Sequence, residues 1–173
     1  SHHPEHGFAQ FRFYKMGAWR IVTIDDRIPS IPFWSPDRGH HFIPKYSRCR
    51  DFREMWVPLF EKAYAKLHGS YQHLIAGTPK DGLVDMTGGI ASTLDWKIDP
   101  SIRPDRVWAL ILQCLQEGWL MGASSHRDPA VCSQVGVMTS HAYALLDARE
   151  LPTPKRERLI RLRNPWGTEE WRF

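Results

Sequence analysis

From Ser140 to Trp171 the chain runs SHAYALLDARELPTPKRERLIRLRNPWGTEEW, and this stretch limits its possible folds more than any other. Two runs rich in strand formers, His141 to Asp147 and Leu159 to Asn164, flank Pro152, Thr153 and Pro154, which interrupt regular structure. The pattern predicts a β-hairpin. Pairing His141 with Asn164 sets Tyr143 opposite Leu162 and Leu145 opposite Ile160, so one face is apolar and Arg161 and Arg163 take the other. A slip of one residue would bury the arginines, so the hydrophobic pattern selects the register. The same register brings an imidazole and an amide together on the covered face. An amide oxygen can accept the imidazole's second N–H and fix the ring, while the other ring nitrogen faces a thiol and helps hold it as thiolate. Trp166, two residues beyond Asn164, is placed to shield that contact from water. An ordinary half-buried hairpin whose His and Asn only satisfy each other has the same sequence pattern.

Upstream, Phe8 to Pro29 alternates as two strands joined by a tight Met16-Gly17 turn, with Phe11 and Phe13 on one side. Asp25-Asp26-Arg27 closes the second strand as an ion-paired, structural group. Ser30 to Arg50 is rich in Pro, Gly and aromatic residues with no stable period, which predicts a loop. His40 and His41 point apart there and have no companion ligands at metal spacing, so they read as surface residues. A helix follows, with Phe52, Trp56, Leu59, Phe60, Ala63, Tyr64 and Leu67 on one stripe, Pro58 delaying its regular part to about Trp56 and Gly69 ending it.

Leu74 to Gly82 reads as a flexible connector leading into Asp85-Met-Thr-Gly-Gly-Ile90, where two lobes divide: 1–76 and 77–173. Gly77, Gly88 and Gly89 permit close backbone approach, as in a cleft that grips an extended peptide by its main chain, though turn-making explains them equally. A second helix opens at Pro104-Asp105, carries Val107, Trp108, Ile111, Leu112 and Leu115, and stops at Gly118. Trp119 to Ser124 reads as a buried strand, and the polar stretch Ser125 to Ser140 as a loop arching over to His141. The fold class is therefore α+β.

With 173 residues, 42% of them hydrophobic, the chain can bury one sizeable core or two small lobes. Its three cysteines are too few and too scattered for a disulfide framework or a zinc site, so reduced thiols are expected. Cys114 falls among apolar helix residues and reads as packing, Cys49 lies in an irregular basic region, and Cys132 lies in a polar stretch without a following helix to activate it. The formal charge of +4 comes from basic residues that are dispersed among acids, with no basic stripe interleaved with aromatics, which argues against a nucleic-acid partner. The run Lys155-Arg156-Glu157-Arg158 reads as a solvated turn. No apolar run approaches the length of a membrane span, and the first ten residues do not look like a signal peptide, so a cytoplasmic location is the simplest expectation.

The string HAYALL followed by LIRLRNPWGTEEW is similar to the His and Asn segments of the calpain family of cysteine proteases. Further segments resemble that family in the same order: Phe11 to Tyr14 with Gly17-Ala-Trp19, Ile24 to Pro29, Glu61 to Lys66 with Gly69 to Tyr71, and Leu74 to Gly89 without a gap. The resemblance implies a papain-like core, of which the chain holds the end of the first protease subdomain and most of the second. It implies an intracellular endopeptidase acting on protein or peptide substrates, with His141 as general base and acid, Asn164 orienting it and Trp166 covering their contact. The family's nucleophile lies in a Gln-Gly-x-x-Gly-Asp-Cys-Trp segment that this sequence lacks, so the expected partner is an upstream catalytic segment of the same polypeptide. By the same match Gly77 lines the substrate cleft. Ser140 stands in that cleft where the family usually has Gly, and Glu54 and Glu170 fall on positions that bind calcium. Calcium would then draw two lobes together rather than catalyse. The competing expectation is a catalytically silent, calpain-like module that binds partners through the old cleft.

Overall fold

The computed structural model describes residues 1–96 and 98–166, with His2 and Pro4 described by backbone alone. It is an α+β chain that falls into two compact units. One holds residues 1–77 with 84–88; the other holds 78–83 with the described residues from Gly89 onward.

In the first unit, β1 (His2–His3), β2 (Phe8–Lys15) and β3 (Ala18–Asp25) form an antiparallel sheet in that order. Met16 and Gly17 turn the β2–β3 hairpin with φ of 54° and 78°, the doubly left-handed turn that suits strand twist. Register sets Ala9 against Ile24 and Phe11 against Val22, so these side chains share the face on which α1 packs. The helix α1 (Trp56–His68) ends at Gly69, with φ of 99°. Leu59 and Ala63 complete a core with Ala9, Phe13, Val22 and Ile24, and Phe60, Tyr64 and Leu67 pack against it. Phe52 and Trp56 do not join that stripe: both are exposed, Phe52 lying before the helix and Trp56 at its first position. Asp25 is ion-paired, with Lys62 at 2.8 Å rather than with Arg27.

The loop expected from Ser30 to Arg50 contains a two-stranded antiparallel ribbon, β4 (Ser30–Ser35) and β5 (Gly39–Pro44). Pro32, Trp34, His40 and Phe42 share one of its faces and all are exposed. No alternation in hydropathy announces a ribbon whose face is left in water. The expected flexible connector holds a 3-10 turn at Tyr71–Leu74 and a helix, α2 (Pro79–Thr87). Thr78 caps α2: its hydroxyl accepts the Asp81 N–H at 3.2 Å and donates to the Asp81 carboxylate at 2.7 Å.

Asp85 is the buried charged residue of the first unit, 5% exposed. Its Oδ2 receives Lys15 Nζ at 2.7 Å and the Tyr64 hydroxyl at 2.9 Å, and lies 3.1 Å from His68 Nε2. Burial opposes its ionisation, but these hydrogen bonds outweigh that and hold the carboxyl below its ordinary 3.8.

In the second unit, α3 (Pro104–Gln116) lays Val107, Trp108, Ile111, Cys114 and Leu115 inward and ends before Gly118, whose φ is 71°. It packs against β7 (Ala142–Glu150), the middle strand of a sheet ordered β6 (Met121–Ser124), β7, β8 (Arg158–Arg163). The β6 strand is shorter than expected and half-buried, with Trp119 and Leu120 exposed before it. Gly122 is required there, since a β-carbon would stand 2.8 Å from Cβ of Pro79. The expected loop from Ser125 to Ser140 contains a short helix, α4 (Pro129–Gln134).

The β7–β8 hairpin forms, but two residues out from the expected register before a bulge and three after it. Leu145 faces Leu162 and Ala144 faces Arg163, and the bulge between Leu145 and Asp147 then sets Ala148 against Ile160. A shift of two preserves the faces, so Leu145 and Leu162 still share one side and Arg163 the other.

Candidate active site

His141 sits one residue before β7 and Asn164 one residue after β8. The shifted register removes them from the ladder as a backbone pair, yet their side chains meet: His141 Nε2 is 2.9 Å from Asn164 Oδ1. The same Oδ1 accepts the backbone N–H of Trp166 at 3.1 Å. A backbone N–H can only donate, so the amide atom it meets must be the oxygen, and the ring nitrogen facing that oxygen must carry a proton. In the neutral imidazole this leaves Nδ1 as the basic nitrogen.

The ring is held on two sides. Trp166 meets it at 4.6 Å between centroids and 62°, and Tyr143 meets it edge-on at 4.9 Å and 88°. The Tyr143 hydroxyl accepts the Met138 N–H at 2.8 Å, which ties this ring to the segment that follows α4. The backbone of His141 is bound to Ser125, whose N–H donates to the His141 carbonyl at 2.9 Å and whose hydroxyl accepts the His141 N–H at 2.8 Å. Ser140 leads into the site with φ of 50°, its N–H on the His126 carbonyl at 3.0 Å. Ser125 lies in an aperiodic stretch that did not announce it, and the strand pattern pointed to Tyr143 only as a pairing residue.

Residues 1–173 match the family model described as calpain family cysteine protease. The chain belongs to that family. It is 40% identical over 173 residues to the calpain-type cysteine protease ADL1 of Oryza sativa subsp. japonica, covering 96% of this chain and 7% of the rice protein. It is 40% identical over 172 residues to the calpain-type cysteine protease DEK1 of Arabidopsis thaliana, covering 96% of this chain and 8% of that protein. To the calpain-2 catalytic subunit of Gallus gallus it is 36% identical over 171 residues, covering 95% of this chain and 22% of the subunit. The chain thus spans less than a quarter of these calpains.

No thiol of this calpain segment is hydrogen-bonded to His141 among the described residues. Cys132 lies on α4 rather than in a loop, is 1% exposed, and donates its S–H to the His126 carbonyl at 3.2 Å, while Cys114 is buried on α3. Glu54 and Gly77 belong to the first unit. Gly77 is exposed, with open space where a β-carbon would stand. Glu54 is exposed, and its neighbour Asp51 is already neutralised by Arg53 at 2.7 Å. Glu170 lies outside the described residues. Calcium takes six to eight oxygens, and no group of three His, Cys, Asp or Glu side chains that could hold an ion gathers among the described residues. No helix among them is long and apolar enough to cross a membrane.

Proposed function

We propose that this chain supplies the histidine and asparagine of a calpain-type cysteine endopeptidase site, the nucleophilic cysteine coming from elsewhere in the polypeptide. The observation that carries the proposal is the double acceptance at Asn164 Oδ1, which leaves His141 Nδ1 free to take a thiol proton. With His141 protonated, the thiolate attacks the substrate carbonyl. The leaving amine takes the proton from the imidazolium, and a thioester remains. Nδ1 then draws a proton from water, whose hydroxide oxygen bonds the acyl carbon and releases acid and thiol. Asn164 keeps the ring aimed through both half-reactions and Trp166 covers its bond to His141. No step runs through calcium. Protein substrates follow from the family, and three free cysteines suit a reducing compartment such as the cytoplasm.

The test is cleavage of a fluorogenic peptide by the full-length protein and its His141→Ala variant. General acid–base catalysis contributes roughly 100- to 10,000-fold, so the variant should lose at least that much kcat. Equal turnover in the two would remove the mechanism. Ser140 supports a second reading, a binding module without turnover. Its exposed side chain stands one residue before the imidazole, where substrate backbone would pass. Peptide binding without cleavage in the wild-type protein would favour that reading.

A further inference from the structure

We propose that Ser125 is a positioning residue for His141, its hydroxyl replacing the ladder contact that the backbone leaves unmade at the site. The proposal rests on the reading of His141 as the general base.

The β6–β7 register runs from Met121 opposite Leu145 to Ser124 opposite Ala142, and one step further sets Ser125 opposite His141. Residues opposite one another in a hydrogen-bonded antiparallel pair exchange two N–H···O bonds. Here the first is made, from the Ser125 N–H to the His141 carbonyl at 2.9 Å. The second is rerouted: the His141 N–H goes to Ser125 Oγ at 2.8 Å. The chain reaches His141 from Ser140 in the left-handed region, with φ of 50°, and so enters the strand at an angle that regular pairing does not accommodate. The Ser125 hydroxyl also donates to the His141 carbonyl at 3.2 Å. One side chain therefore grips both ends of the His141 residue.

That grip bears on chemistry because the imidazole has a narrow set of partners to meet at once. Nε2 must reach Asn164, and the ring must fit between Tyr143 and Trp166. Ser125→Ala removes both hydroxyl contacts and leaves a part-buried N–H without its acceptor, and the backbone under the ring will shift to find another. Misplacement of a catalytic group by about 1 Å costs on the order of a hundredfold in rate. Threonine keeps the hydroxyl and suits a strand end, so it should restore the contact.

The experiment compares S125A, S125T and H141A in the full-length protein, reading kcat and KM with a fluorogenic peptide and the His141 ring nitrogens by 15N NMR. S125A should lower kcat roughly 10- to 100-fold with KM nearly unchanged, and should replace the single Nε2-protonated signal with a mixture of tautomers. S125T should restore both. Wild-type kcat and an unchanged ring spectrum in S125A would overturn the proposal. Loss of activity in H141A beside full activity in S125A would overturn it while sparing the reading of His141. Unchanged activity in H141A would sink that reading, and the ring spectrum would then decide whether Ser125 holds the imidazole. If S125A does not fold, Ser125→Val, which suits a strand and fills the site without a hydroxyl, carries the same comparison: wild-type kcat and spectrum there overturn the proposal.

Discussion

His141 Nε2 and Asn164 Oδ1 lie 2.9 Å apart, joining residues 23 positions distant in sequence at the open end of the β7–β8 hairpin. The amide is itself fixed by the Trp166 N–H, so it cannot flip to present its nitrogen without losing that bond. A hydrogen bond to a charged group contributes about 1.5 to 3 kcal/mol, and this one is present when the ring is protonated. Asn164→Ala should therefore lower kcat of the full-length enzyme by roughly 10- to 100-fold, less than His141→Ala does. A variant with wild-type kcat would detach the amide from catalysis.

Asp85 makes part of the first unit's stability acid-sensitive. Its carboxyl is held below 3.8 in the folded chain, by hydrogen bonds that outweigh the opposing effect of burial. The folded state thus releases this proton more readily than the unfolded one. The resulting stabilisation is complete above about pH 4 and is lost as pH falls through the folded value. Asp85→Asn should cost about 2 to 3 kcal/mol near neutrality, since Lys15 loses its anion. It should cost less at pH 3, below the ordinary 3.8, where the unfolded chain already takes up the proton that the folded carboxyl resists. Urea unfolding at the two pH values measures the difference, and an equal cost at both would remove Asp85 as the titrating group.

What could be read in advance follows the burial of each element. The β2–β3 hairpin and α1 pack one face on a shared core, and α3 turns one stripe inward, so their periods survive in the sequence. The β4–β5 ribbon has no buried face, and Trp34 and Phe42 stand in water where a strand pattern would need polar residues. Helix α2 is nine residues long with Asp85 as its buried residue, so it has no apolar stripe; the Thr78-Pro79-Lys80-Asp81 cap was its available signal. The bulge after Leu145 is invisible in a run of apolar residues, yet the two-residue shift preceding it left the faces unchanged. His141 and Asn164 could be paired because both stand at the ends of runs with clear faces. Ser125 could not, because its role depends on a register in an aperiodic segment.

The three thiols should differ in reactivity. Cys114 and Cys132 are 7% and 1% exposed, and Cys132 is also bonded to the His126 carbonyl, whereas Cys49 is part-exposed in the first unit. Reaction with a small thiol reagent at neutral pH should label Cys49 first and leave the other two until the chain is unfolded. Peptide mapping by mass spectrometry reads this directly. Early labelling of Cys132 would reopen it as a nucleophile.

Ser140 meets a conformational cost that glycine would not. Its φ of 50° puts it in the left-handed region, where a β-carbon crowds the following carbonyl at about 1 to 2 kcal/mol. Glycine relieves that crowding but loses more backbone entropy on folding, so the net gain is smaller than the strain. Ser140→Gly should raise stability by about 0.5 to 1 kcal/mol, seen as a higher urea midpoint with an unchanged slope. The Ser140 N–H bond to the His126 carbonyl is a backbone contact and survives the change. His141 should therefore keep its place, while the approach to its ring loses one hydroxymethyl group. If Ser140 obstructs peptide passage, KM in the full-length protein should fall with kcat unchanged. If the midpoint rises and KM stays the same, Ser140 costs stability without touching substrate.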